Sequence, residues 1–162
     1  MLLEGLKFGI AKAQSPDDLP DAVQKELSRF VKVHKHELKP LHLAGEGWRK
    51  ELEDHARDLV NRLNTPKAGP VNDIFNKLLG TEELSLCWNI DAYAIDNFVS
   101  ARGDIAHRGR YSDYVRSWHV ETHKNNIISA AVDTDNHVAK HIRDNFPSSR
   151  KPWNATSLKV NK

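Results

Sequence analysis

The chain has 162 residues, of which 39% are hydrophobic and 28% charged; this suffices for one domain with a core and argues against a disordered or membrane-embedded polypeptide. A net charge of +2 is too small for a field that holds duplex nucleic acid non-specifically, so any contact with RNA has to be local. The single cysteine, Cys87, reads as a small buried hydrophobe in a reducing cytoplasm, and the opening run Met1-Leu2-Leu3-Glu4 has neither the basic leader of a signal peptide nor the length of a membrane span.

Helical spacing dominates and no alternating run is long enough to require a strand, so the expected class is all-α. Residues 2–13 predict a helix that starts without a cap, which points to an incomplete N-terminal helix. Ser15-Pro16-Asp17-Asp18 and Pro20 then signal a helix over 18–36, with Val23, Leu27, Phe30, Val31 and Val33 as its apolar face. A loop containing Pro40, Gly45 and Gly47 leads to a helix over 48–63. Asn64-Thr65-Pro66 stops it, and Lys67-Ala68-Gly69-Pro70 extends the turn.

A short helix over 71–79 ends at Gly80, and an apolar stretch runs from Thr81 to Trp88. Asp91 caps a longer helix carrying Tyr93, Ile95, Phe98, Val99 and Ile105. Ser112-Asp113-Tyr114 opens the last helical region, with a break near Asn125 and an end at Pro147. Residues 1–146 thus read as a single helical domain and 147–162 as an irregular tail docked through Trp153 at most. Trp48, Trp88 and Trp118 fall at core-like positions and are expected to be packing anchors.

The chemistry concentrates in Val99-Ser100-Ala101-Arg102-Gly103-Asp104-Ile105-Ala106-His107-Arg108-Gly109-Arg110. On a helix Arg102 and His107 stand about 140° apart, and Asp104 sits one turn before His107, where its carboxylate can orient the imidazole. Gly103 leaves open surface beside them. Cleavage of RNA by its own 2′-hydroxyl needs a base near neutral pH and a cation for the charge building on phosphorus; histidine suits the first task and arginine the second, without a metal. From spacing alone a solvated charged face, with His107 favouring a helix C-terminus, is the commoner arrangement, because Arg and His five apart often occur by chance. His119-x3-His123 and His137-x3-His141, near Glu121, Asp133 and Asp135, offer a weaker metal-binding alternative.

This segment resembles the Arg-x4–6-His motif of the HEPN superfamily. Within it, Gly47-Trp48, Leu63-Asn64-Thr65-Pro66, Ile74-Phe75 and Leu79-Gly80 are similar to the run-up to the active-site helix in the RiboL-PSP-HEPN group, over about residues 45–145. The resemblance implies a helical bundle that dimerises so that two motifs line one cleft. It also implies a metal-independent, cofactor-free endoribonuclease that leaves 2′,3′-cyclic phosphate and 5′-hydroxyl ends, in a toxin–antitoxin, restriction or anti-phage setting.

The implied partners are RNA, a second copy and an antitoxin or other defence-system protein, with no membrane. His107 would transfer protons, Arg102 would hold the phosphate and Asp104 would assist; Arg108 and Arg110 would guide the RNA backbone and Tyr111 would stack on a base. Two departures stand out. Gly103 occupies a position that is commonly Asn, Asp or His in the family, and Arg108 separates His107 from Gly109. They give weight to an alternative, a non-catalytic domain that binds RNA or a nucleotide, or dimerises for a partner protein.

Overall fold

Leu2, Leu6 and Ile10 recur every fourth residue, and a helix buries all three on one stripe. The computed structural model, which describes residues 1–33, 39–108, 117–148 and 150–157, is all-helical as the spacing predicts. Its helices are α1 (Leu2–Ile10), α2 (Asp21–Val33), α3 (Lys39–Leu43), α4 (Gly47–Asn61), α5 (Ala68–Leu79), α6 (Ala92–Arg108) and α7 (Ser117–Asn145). Two short 3-10 turns complete the regular structure, and no strand occurs among the described residues. No described helix is long and apolar enough to cross a membrane.

The core lies where α1, α2, α4, α5 and the C-terminal half of α7 meet, around Leu6, Val23, Leu52, Leu78, Val138 and Ile142. α1 approaches α7 closely because Gly5 and Gly9 face it. A Cβ on Gly5 would stand 2.8 Å from Ile142 Cδ1, and one on Gly9 would stand 2.6 Å from Phe146 Cδ1. Between α2 and α4, Glu26 is buried and accepts from Arg29 (Nε to Oε2, 3.0 Å) and from His55 (Nε2 to Oε1, 2.8 Å). Phe30 packs on the His55 ring with centroids 4.3 Å apart.

Several boundaries differ from expectation, each for a local reason. The first helix stops at Ile10 rather than Ala13. The start signal at Ser15 closes a separate 3-10 turn, Pro16–Asp18, in which Ser15 Oγ accepts from Asp17 N and Asp18 Oδ2 accepts from Ser15 N; α2 begins only at Asp21. A short helix, α3, forms in the expected loop, and Gly47 must be glycine because a Cβ there would meet the His42 carbonyl oxygen. α5 starts at Ala68 because Pro70 falls in its first turn, where a missing N–H costs nothing, and because Asp96 Oδ1 accepts from Ala68 N at 2.8 Å.

Gly80 terminates α5 in the left-handed region (φ +77°), donating to Asn76 O, and Asp91 Oδ1 caps α6 by accepting from Tyr93 N at 2.8 Å. α7 runs without a break through Asn125, and residues 112–116, the expected start of that region, lie outside the described residues. The tail is held beyond Trp153. Trp153 Nε1 donates to Asp135 O, and Asn136 pairs with the Thr156 backbone in both directions at 2.8 Å.

Candidate functional site

α6 and α7 form an antiparallel pair fixed at its base by polar contacts. Trp88 Nε1 donates to Thr134 Oγ1 at 2.8 Å, and Asn89 binds the Asp133 carboxylate through its backbone N (2.8 Å) and Nδ2 (2.9 Å). Farther out, the Phe98 and His123 rings meet with centroids 5.3 Å apart. These pairings set a register in which Arg102 of α6 lies level with His119 of α7.

Beyond Ile95 on α6 and before Ala130 on α7, no described side chain is buried. The outer parts of the two helices therefore stand away from the core, and α7, roughly 43 Å long at 1.5 Å per residue, extends well past it. Between them runs a groove of about 990 Å³. Its walls are mostly apolar, formed by residues such as Phe98, Ile105, Val120 and Ile127, while Arg102, Asp104, His119, His123 and Lys124 supply the polar groups.

Of the expected site residues, Arg102 is exposed on the groove wall, and Asp104 lines the same groove on the same helix. The space at Gly103 is open, since a Cβ there would meet nothing within 4 Å. The backbone of α6 continues through His107 to Arg108, so Arg102 and His107 share one unbroken helix. The side chains of His107 and Arg108, and all of Arg110 and Tyr111, lie outside the described residues.

Trp48 packs in the core as expected, Trp88 is only half-buried and is held by its hydrogen bond to Thr134, and Trp118 does not pack. It is 59% exposed, and its ring lies on the adjacent His119 ring with centroids 3.6 Å apart and planes 38° from parallel. Apolar periodicity identifies the stripe of a helix without showing where its partner ends, and the α7 stripe outruns the core. His119 and His123 are likewise groove residues that the motif did not point to; their spacing one turn apart on α7 was the available signal. His123 Nδ1 is buried and has no hydrogen-bond partner among the described residues.

The other histidine pair is structural in part. His141 Nε2 donates to Leu79 O at 2.8 Å, pinning the end of α5 to α7, and its Nδ1 faces Asn145 Nδ2 at 3.3 Å. Burial, then the nearby His141 and Lys140, hold the His137 imidazole below the usual histidine range. Among the described residues no three His, Cys, Asp or Glu side chains gather as metal ligands would. Comparisons with family models, curated proteins and solved structures found no match to this chain.

Proposed function

We propose that the chain is a metal-independent endoribonuclease of the HEPN type, acting as a homodimer in a toxin–antitoxin, restriction or anti-phage setting. The observation that carries this reading is the situation of Arg102, an exposed guanidinium on a groove wall, beside the open space at Gly103 and on the same unbroken helix as His107.

In the proposed reaction the RNA 2′-oxygen attacks the adjacent phosphorus and the bond from phosphorus to the 5′-oxygen breaks. One His107 accepts the 2′-hydroxyl proton, and the His107 of the second copy protonates the departing 5′-oxygen. Arg102, whose planar fork binds two oxygens at once, steadies the phosphate as charge builds on it. Asp104 orients the imidazole one turn along the helix.

Support for a second copy comes from the apolar side of the groove. Ile105, Val120, Ile127 and Ile128 are exposed together, an arrangement that single chains rarely leave in water. The same strip favours the second reading, a non-catalytic dimerisation module. Product analysis separates the two. RNA incubated with the protein in EDTA is expected to yield 2′,3′-cyclic phosphate and 5′-hydroxyl ends, and a strand methylated at every 2′-oxygen is expected to stay intact. Cutting of the methylated strand would contradict the mechanism, and an intact unmodified strand would favour the dimerisation module.

A further inference from the structure

We infer that Trp118 and His119 form a stacking site for an unpaired base of single-stranded RNA, beside the groove that His119 lines. The inference rests on the ribonuclease reading for the identity of the nucleic acid and adds a substrate subsite to it.

Three features of the outer α6–α7 pair converge on this site. The first is the aromatic surface. An indole 59% exposed, braced from one side by an imidazole whose centroid is 3.6 Å away, keeps its other face in water. Every base has a π-face, and base stacking on such rings is a main way in which proteins hold single strands. Duplex RNA, with its bases already stacked on one another, has no free face to offer.

The second feature is charge. His119, Lys124 and Arg102 all line the groove, Lys124 five residues beyond His119 on α7 and Arg102 on the opposite helix. Lys124 is only loosely engaged, 3.9 Å from Glu121. Among the described residues lining the groove, the carboxylate is Asp104 and the Lys and Arg cations are Arg102 and Lys124. The groove that His119 borders therefore offers cations to a nucleic-acid backbone.

The third feature is access. At about 100° per residue Trp118 lies on the side of α7 opposite Ile127. A second copy seated on Ile105, Val120, Ile127 and Ile128 leaves the Trp118 edge uncovered, so dimerisation and base stacking use different edges of the same helix.

The test measures binding of a labelled single strand carrying 2′-O-methyl at every position, which the proposed chemistry cannot cut, to the full chain by fluorescence anisotropy. Trp118→Ala is expected to weaken binding roughly tenfold or more, and Trp118→Phe, which keeps a flat ring, is expected to restore most of it. Trp118 lies outside the core, so the helical circular dichroism of both variants should equal that of the parent. A methylated duplex of the same length is expected to compete poorly.

Unchanged binding by Trp118→Ala, or a duplex that competes as well as the single strand, overturns the site. So does a dimer that becomes monomeric on Trp118→Ala in sedimentation, because the edge would then belong to a protein contact. The two readings fail separately. A chain that cuts RNA but binds the methylated strand equally with and without Trp118 loses only the stacking site, whereas one that binds through Trp118 and cuts nothing loses only the catalytic reading.

Discussion

Phe146 closes over Gly9 so tightly that a Cβ on the glycine would stand 2.6 Å from ring Cδ1 and 2.9 Å from Cγ. Replacing glycine by alanine within a helix ordinarily stabilises by about 1 kcal/mol. Here the obstacle is a buried ring at the end of α7, and overpacking of this kind costs about 1–3 kcal/mol. Gly9→Ala is therefore expected to destabilise, Gly5→Ala to be closer to neutral because it meets the flexible Ile142 Cδ1, and Gly103→Ala, in open space, to stabilise by about 0.5–1 kcal/mol. Thermal melts of the three variants check the order, and a Gly9→Ala chain as stable as the parent would show that α1 and α7 are not packed this closely.

Acid is expected to weaken the join between α2 and α4. Burial pushes the Glu26 carboxyl up, but the hydrogen bonds from Arg29 and His55 and their charges outweigh it and hold it below the usual carboxylate range. A carboxyl that binds its proton less readily when folded contributes fully above its unfolded pKa of about 4.3, and the contribution fades as pH falls through the folded value. His137 adds an earlier slope of the same sign. Its folded pKa is lowered, so below an unfolded pKa of about 6.5 the unfolded chain gains a proton that the folded chain resists. Melts from pH 8 to pH 3 are expected to show falling stability, with Glu26→Gln less stable at pH 7 by about 2 kcal/mol and flatter below pH 5. Parallel curves below pH 5 would remove Glu26 from the account.

Cys87 is expected to be a poor nucleophile. Burial, followed by the nearby Asp133 charge, pushes its thiol up to about 11, and the thiolate is the reactive form. Alkylation at pH 8 in native protein should run about 100-fold slower than for an exposed thiol on thiolate fraction alone, and should rise to the ordinary rate in denaturant. Fast labelling of the native chain would place Cys87 in a more open setting than the turn before α6.

Signals that act through their own backbone neighbours are legible in the sequence. Asp91 caps α6 and Gly80 stops α5 because each acts through its own backbone neighbours. The early start of α5 was not legible, since it depends on Asp96 reaching back from α6 to Ala68 N, a contact between distant segments. Nothing in the α2 sequence marks Glu26 as buried; only the approach of α4 makes it a buried acceptor for His55.

At the site, Arg102 and Asp104 were legible because their spacing is carried by one helix. His119 and His123 reach the groove only through the register of α6 against α7, and Trp118 meets its edge only by stacking on His119, so spacing along one helix does not reveal them.

Arg102 and His107 are proposed to cut RNA, and initial rates on labelled single-stranded RNA in EDTA for the parent, Arg102→Ala and His107→Ala at matched concentration decide whether they do. Removing a proton-transfer group such as His107 ordinarily costs about 10²–10⁴-fold and removing a group that stabilises transition-state charge, as Arg102 would, about 10²–10³-fold, so both variants are expected to lose at least about 100-fold in rate while keeping helical content and sedimentation unchanged. Rates equal to the parent in both folded variants would contradict the account and assign any cutting to another source.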